Sequence, residues 1–313
     1  MHPNRGRVGM LTVGVILRES VQATLRFVAW YLDQGADRIV MCFDDPDDPA
    51  IDRLSGHPNI DCIRCTPAFW EKLGIAPDAR FTKRQNRAMK YVYRTRAKGW
   101  FLNVDCDEFV HLEGRSLAEE IVDQPDHIRA VRVLPAEHIQ TPDRPGETHF
   151  RLPMRRCTMR TIYGDYAKAM QPRQGLMAHT MGKSLTRVGL RRVAMRQHWA
   201  MRPDGSAVTD RVLDRRDGAY LLHFADQGFD TWRRKLKWRL SSRGFRQPFR
   251  DILIPILEQA DPEPDLRAVY EATHVFDDAR LALLNNARAG LSVQICMDAL
   301  TEAYFGARIA QAA

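Results

Sequence analysis

The sequence has few cysteines, no long hydrophobic run and no internal repeat, and each absence argues against a class of protein. Its 313 residues include six cysteines. Neither a second Cys-x2-Cys pair nor a His-x3–5-His pair accompanies Cys62 and Cys65, so a structural zinc site is not predicted. No stretch reaches the roughly 18 apolar residues of a membrane-spanning helix. Nothing requires a disulfide framework, which fits a reducing compartment. We therefore expect a cytoplasmic protein.

Positive charge is in excess, which favours anionic partners but does not indicate which of them binds. Lysine and arginine number 47 against 39 acidic residues, a net charge of +8. Such a charge favours nucleic acid, an anionic membrane surface or a phosphorylated substrate. The basic start, residues 1–7, resembles a signal sequence, but the apolar run 8–17 leads into Arg18 and Glu19 without a small-residue cleavage site. We find no zinc finger, aromatic RNA-binding motif or recognition helix, so no nucleic-acid partner is expected.

Strand-like and helix-like segments alternate in the first third of the chain. Continuous apolar or β-branched runs predict strands at residues 8–17, 38–43, 60–65 and 100–102, and helical periodicity predicts helices beginning near Ser20, Ala50 and Arg80. This alternation is typical of an α/β fold with a mostly parallel sheet flanked by helices. In such sheets the ligand binds beyond the carboxyl ends of the strands.

The rest of the chain is less regular and becomes helical. Residues 129–134 predict one more strand, and residues 141–146 read as a loop. Helices are expected over residues 229–240, 265–289 and 292–308. The stripe formed by Trp232, Leu236 and Leu240 predicts core packing. We predict two domains, a catalytic domain over residues 1–225 and a helical C-terminal extension over residues 226–313.

Three carboxylates, Asp105, Asp107 and Glu108, follow the apolar strand 100–102. Clustered carboxylates are costly to desolvate, and a cation offsets that cost. Alternation along a strand would place Asp105 and Asp107 on one side, where two hard oxygen donors could share Mn²⁺ or Mg²⁺. A lone Asp-x-Asp is more often a solvated loop. Here Arg18, Glu19 and Asp44 follow neighbouring predicted strands, so the acidic pair is expected in a crevice.

Three blocks of sequence together resemble the glycosyltransferase family 2-like proteins of the GT-A fold, closest to the bacterial branch related to the DUF23/family 92 group. The first block is Arg18-Glu19 with the segments FVAWY (27–31) and GADRI (35–39). The second is Gln85, Tyr91 and the segment WFLNVDCDEF (100–109). The third is GKSL (182–185) with Arg187, His198, His223-Phe224, Phe229, Trp232 and Lys235. The resemblance covers about residues 10–243.

The resemblance implies a nucleotide-sugar donor, a UDP- or GDP-sugar, and assigns roles by position. Asp105 and Asp107 would hold Mn²⁺ or Mg²⁺, and His223 would complete the metal site. Contacts to the nucleotide or its diphosphate are expected from Arg18, Glu19, Asp44, Arg84, Gln85 and Lys183. Four of these residues have a structural alternative: a turn cap for Asp44, a helix-surface charge for Arg84, a solvated loop charge for Lys183 and a buried core residue for His223.

An inverting transfer also needs a general base for the acceptor hydroxyl. Glu137 is the candidate by position, because it lies just past the strand 129–134. Glu108 is expected to face away from the metal, where a structural hydrogen bond or salt bridge is as good an explanation as a functional role.

The sequence therefore favours a metal-dependent glycosyltransferase, inverting, that serves surface or extracellular polysaccharide synthesis. Its acceptor would be a glycan or a lipid-linked glycan, and the basic helix around Trp232 leaves open peripheral contact at the inner membrane face. The alternatives are a sugar-phosphate nucleotidyltransferase, a basic nucleic-acid-binding protein and a catalytically inactive scaffold. Against the first, the junction after the strand 8–17 lacks a Gly-rich phosphate loop.

Overall fold

A computed structural model describes residues 9–141, 147–242 and 244–306. The chain forms two compact units from interleaved stretches. The first comprises Met1–Leu134, Gly182–Leu221 and Cys296–Ala313, and the second comprises Pro135–Met181 and Leu222–Ile295. A single boundary at residue 225 does not describe this division, because the order of segments along a chain does not reveal which of them pack together. Residue 8 of the predicted first strand and most of the predicted loop at 141–146 lie outside the described residues.

The first stretch of the first unit alternates strands and helices as predicted. Its elements are β1 (Leu11–Leu17), α1 (Val21–Asp33), β2 (Arg38–Phe43), α2 (Ala50–Leu54), β3 (Ile60–Arg64), α3 (Pro67–Lys72), α4 (Phe81–Thr95), β4 (Trp100–Asn103), β5 (Glu108–Leu112), α5 (Leu117–Val122) and β6 (Ala130–Val133). Every residue of β1 is buried, as a continuous apolar run requires. Ser20 caps α1 by accepting the amide hydrogen of Ala23, and Gly35 follows the helix with a φ of 81°.

The remaining elements are divided between the units. The second unit contributes β7 (Pro135–His138), β8 (Glu147–Arg151), α6 (Arg156–Tyr163) and α7 (Ala167–Met170). The first unit then adds β9 (Lys183–Arg187), β10 (Ala194–Met195), β11 (Ala200–Met201) and β12 (Arg211–Leu213), and β13 (Ala219–His223) follows. The second unit ends with α8 (Phe229–Ser241), α9 (Gln247–Leu257), α10 (Glu263–His274), α11 (Asp278–Asn286) and β14 (Gly290–Gln294), and α12 (Met297–Phe305) belongs to the first.

The first unit is built on a seven-stranded mixed sheet with the order β12-β6-β9-β4-β1-β2-β3. β1 pairs in parallel with β2 and β4, and β2 pairs in parallel with β3. β9 runs antiparallel to both β4 and β6. The sheet is packed against helices through a core that includes Trp70, Met89 and Phe101. An α/β fold with a mixed, partly parallel sheet is therefore confirmed.

The second unit packs helices around an antiparallel ribbon. β8 pairs with β7 on one side and with β14 on the other. The predicted stripe is core, since Trp232 and Leu236 are fully buried and Leu240 packs against the same cluster. The prediction of a helix over 292–308 was wrong at its start: residues 290–294 form β14, because pairing with β8 satisfies their backbone. None of the helices in the described ranges is long and apolar enough to cross a bilayer.

Candidate functional site

The carboxyl ends of three neighbouring strands bring the predicted site residues of the first unit to one edge of the sheet. The amide of Asp44, just after β2, donates to the carbonyl of Leu17 at the end of β1, at 2.9 Å. The amide of Val104, just after β4, donates to Gly14 of β1 at 3.2 Å. β2 and β3 continue the sheet on one side of β1, and β4 lies on the other. The strand order therefore reverses between β1 and β4, which is where open α/β sheets bind ligands.

The acidic motif lies in a turn and not on a strand. β4 ends at Asn103 and β5 begins at Glu108, so Asp105, Cys106 and Asp107 form the connection, which we call the acidic turn. The turn is closed by the amide of Glu108, which donates to the carbonyl of Asp105 at 3.1 Å. Strand alternation therefore does not orient the two aspartates, and the turn itself does. Both are partly exposed.

Lys183 supplies a cation to the acidic turn from within the chain. Its ammonium lies 2.8 Å from Oδ2 of Asp105 and 2.9 Å from Oε2 of Glu108, and its side chain is 0% exposed. Burial opposes the charged ammonium, but attraction to Asp105 and Glu108 outweighs this and raises the pKa of Lys183. The prediction of a nucleotide contact by Lys183 is therefore wrong for its ammonium, which is buried against the protein's own carboxylates.

The antiparallel course of β9 explains why Lys183 reaches this place. Trp100 pairs with Arg187 and Leu102 with Leu185, so the first residue of β9 lies next to the end of β4. Gly182, just before it, has a φ of 66°, and a Cβ there would lie 2.0 Å from the carbonyl oxygen of Val133. A glycine is therefore required for the chain to enter β9 at this position.

Gln85 and Glu108 complete the support of Asp105. Gln85 on α4 is buried and donates from Nε2 to Oδ1 of Asp105 at 2.5 Å. It accepts from Nε2 of Gln197 at 2.7 Å, a residue for which the sequence carries no signal. Glu108 Oε2 accepts the amide of Asp105 at 2.8 Å, which is the structural role left open for it. His198, also on the first unit, is held at 3.0 Å from the carbonyl of Gly182.

Asp44 and Arg84, both predicted nucleotide contacts, form an ion pair with each other. The Nη1 atom of Arg84 contacts the carboxylate of Asp44, and both side chains are largely buried. The Arg84 Nε donates to the carbonyl of Ala79 at 3.0 Å, and its guanidinium lies 5.5 Å from the ring of Trp70. The pair anchors the start of α4 to the end of β2. Arg84 is therefore a fixed charge at the crevice and not a mobile surface side chain.

Arg18 and Glu19 are exposed at the same edge, between the end of β1 and the cap of α1. Glu19 lies near enough to the acidic turn to add to the effect of burial in raising the pKa of the Cys106 thiol. The structure thus brings Arg18, Glu19, Asp44, Arg84, Gln85, Asp105 and Asp107 to one side of the first unit.

The acidic turn is chemically suited to a divalent cation. Each carboxylate oxygen has two acceptor positions. Gln85 and Lys183 take one position on each oxygen of Asp105, whose side chain is 35% exposed, so acceptor capacity remains. Burial raises the pKa of Asp105, while the ammonium of Lys183 opposes this shift. Asp105 and Asp107 therefore fit a hard cation that keeps several water ligands.

Two further side chains with the chemistry of metal ligands lie in the second unit. They are half-buried His179 and buried His223. The rings of the two histidines lie 5.0 Å apart between centroids. The assignment of His223 to the same ion as Asp105 and Asp107 stays a prediction.

Glu137 is not available as a general base. It is fully buried in the second unit, where its carboxylate is paired with Arg151 and accepts the amides of Met177 and Ala178 at 2.8 and 2.6 Å. Burial alone would raise its pKa, but Arg151 and the two amides lower it to about 2. The prediction from its place after β6 was wrong because β7 directs this side chain into the core of its unit.

Half-buried His138 and buried His274 should make the second unit sensitive to acid. Burial lowers the pKa values of His138 and His274 to about 4 from an ordinary 6.5. Because the pKa of each histidine is lower in the folded state, the unfolded chain binds protons first as the pH falls. The contribution of the neutral histidines to stability is therefore fully present above pH 6.5 and is lost progressively towards pH 4. We expect a loss of roughly 2 kcal/mol per histidine at pH 5, measured by urea unfolding at pH 7 and pH 5.

A replacement of one histidine separates this effect from general acid denaturation. His274 stacks on Tyr270, with 4.6 Å between ring centroids. His274→Phe keeps an aromatic ring there and removes the titration, so the loss between pH 7 and pH 5 should shrink. The control is His127→Gln, which replaces an exposed histidine. If the free energy of unfolding falls by the same amount between pH 7 and pH 5 in both variants, the assignment of this loss to His274 is wrong.

Comparisons with known proteins do not identify the chain. No family model matches it, and no curated protein matches it. Among solved structures, HddC from Yersinia pseudotuberculosis is similar over 44% of this chain and 67% of that chain, with 14% identity and a TM-score of 0.28. A likeness at this level carries no functional argument.

Proposed function

We propose that the chain is a metal-dependent glycosyltransferase of GT-A type that uses a nucleotide-sugar donor, a UDP- or GDP-sugar. The supporting observation is the acidic turn at the carboxyl end of β4, beside the reversal of strand order between β1 and β4. Asp105 there is held by a buried lysine and a buried glutamine. Such positioning is typical of a side chain whose direction matters for function.

The residues divide into those that meet the donor and those that position them. Asp105 and Asp107 would hold Mn²⁺ or Mg²⁺, and the bound ion would act as a Lewis acid on the leaving diphosphate. Lys183 and Gln85 fix the direction of Asp105. Asp44, held by Arg84, offers a carboxylate acceptor for hydroxyl or base N–H groups of the nucleotide. Arg18 and Glu19 are exposed where the donor would enter.

The acceptor and the outcome of the transfer are proposed from the sequence. A glycan or lipid-linked glycan acceptor, an inverting outcome and a role in surface polysaccharide synthesis follow from the sequence resemblance, and a cytoplasmic location follows from the cysteine usage. Glu137 is removed as the base by its burial against Arg151. The base is therefore left unassigned.

Nucleotide binding by the acidic turn is the direct test. We expect a nucleotide-sugar to raise the thermal midpoint with Mn²⁺ and much less without it, since a ligand at 100 times its Kd adds about 2.7 kcal/mol of stability. A panel of UDP-, GDP-, CMP- and dTDP-sugars identifies the nucleotide. Asp107→Asn removes one ionised carboxylate ligand of the metal. We therefore expect the apparent affinity for the nucleotide-sugar with Mn²⁺ to fall at least about tenfold and the Mn²⁺-dependent shift of the thermal midpoint to shrink.

The control is Asp123→Asn, which removes an exposed carboxylate of the same unit after α5. An equal shift in Asp107→Asn and Asp123→Asn would contradict the metal assignment.

Incubation with a nucleoside triphosphate and a sugar phosphate distinguishes a glycosyltransferase from the alternative, a nucleotidyltransferase. Release of pyrophosphate would identify a nucleotidyltransferase, whereas release of nucleoside diphosphate from a nucleotide-sugar supports glycosyl transfer.

A further inference from the structure

One helix of the second unit exposes a tryptophan on the side opposite its core face. Trp238 of α8 is 66% exposed, more than any other large apolar side chain among the described residues. Trp232 and Leu236 of the same helix are buried. Because a helix turns about 100° per residue, Trp238 lies roughly 200° from Leu236. Packing of the helix therefore does not explain the tryptophan.

Three cations surround this tryptophan. Arg234 and Lys235 precede Trp238 by four and three residues, one turn away on the same face, and Lys237 is adjacent. All three are exposed, and none forms an ion pair with a carboxylate in the part of the chain that the structure describes.

The two other arginines of α8 are engaged within the unit. Arg233 pairs with Glu263 at 2.6 Å, and Arg239 lies 3.4 Å from the carbonyl of Ala225. The remaining outward cations and the tryptophan therefore form one surface, Arg234, Lys235, Lys237 and Trp238, which we call the α8 face.

We propose that the α8 face binds an anionic lipid membrane. Tryptophan is favoured at the boundary between headgroups and acyl chains, because its ring is apolar and its N–H is polar. Lysine and arginine beside it are attracted to anionic headgroups. A helix lying in the membrane surface combines these features, with cations flanking an inserted aromatic ring. This inference does not depend on the proposed glycosyl transfer.

Sedimentation with lipid vesicles tests the proposal on the full chain. We expect the protein to sediment with vesicles that contain phosphatidylglycerol and not with vesicles of phosphatidylcholine alone, and added salt should weaken binding. Lys235→Gln with Lys237→Gln should lower the partition coefficient by about fivefold per charge. Trp238→Ser should lower it roughly tenfold through lost apolar burial.

Matched controls come from other helices of the second unit. Arg156→Gln with Arg160→Gln removes the same charge from the exposed side of α6, and Leu283→Ser removes an apolar side chain that is 39% exposed on α11. Both should sediment as the unaltered protein does. All exchanged side chains are exposed, so the thermal midpoint reports that each variant is folded.

Three outcomes would overturn the proposal. They are equal binding to both kinds of vesicle, equal losses in the control variants, and no vesicle binding while a single-stranded oligonucleotide is retained through Lys235 and Lys237. The last outcome would assign the α8 face to nucleic acid instead, since stacking on an exposed tryptophan also suits unpaired bases.

Discussion

Replacing Lys183 by methionine is expected to lower the free energy of unfolding by about 3–5 kcal/mol, the cost of removing one partner of a buried ion pair. Both Lys183 and Glu108 are 0% exposed, and the same ammonium holds Asp105. Without it, two carboxylates repel each other with no cation between them. Urea denaturation followed by circular dichroism measures the loss.

The Lys183→Met variant also tests whether the acidic turn accepts an external cation. We expect Mn²⁺ to raise its thermal midpoint more than that of the unaltered protein, because a bound cation would offset the repulsion. Lys168→Met, at an exposed position on α7, is the control and should unfold within about 0.5 kcal/mol of the unaltered protein. A loss below about 1 kcal/mol in Lys183→Met would contradict the buried ion pair.

The exchange Glu137→Ala is expected to cost about 3–5 kcal/mol for the same reason in the second unit. It would leave the guanidinium of Arg151, which is 0% exposed, without its counter-charge and the amides of Met177 and Ala178 without their acceptor. Tyr163 and the carbonyl of Thr273 would still contact Arg151, but neither carries a formal charge. Urea unfolding measures this cost.

A milder exchange separates the structural role of Glu137 from a catalytic one. Glu137→Gln keeps the shape and loses the charge, so we expect lowered stability with the nucleotide-induced thermal shift retained. Exposed Glu258→Ala should leave stability within about 0.5 kcal/mol. A general base would behave in the opposite way, with Glu137→Gln stable and transfer abolished.

Local elements were predictable where a single chain segment carries its own signal. β2 has the predicted bounds, α2 begins at the predicted residue, and α1 begins after its serine cap. Hydrophobic period and capping act over a few residues, and the sequence displays them directly. By contrast, β5 and β14 were not predicted, because they are strands through pairing with distant segments, as β14 is with β8.

The residues of the site likewise divide into those that local sequence located and those that depend on distant segments. The acidic motif and the residues at the ends of β1 and β2 were located from the sequence, because the ends of parallel strands meet at one edge. The partner of Asp105 was not, since Lys183 lies 78 residues further along and only the antiparallel return of β9 brings them together. Glu137 was misassigned because its position along the chain gave no sign of Arg151, which pairs with it across β7 and β8.

The amino-acid sequence alone determined the alternation of strands and helices, the carboxylates after β4 and the excess of positive charge, because these depend on residue type and short-range period. Tertiary structure decided which charges are neutralised within the protein and which face outward. Lys183 and Arg151 are fully buried and paired, whereas Arg234, Lys235 and Lys237 are exposed. The desolvation and pairing that distinguish them arise only when distant segments pack.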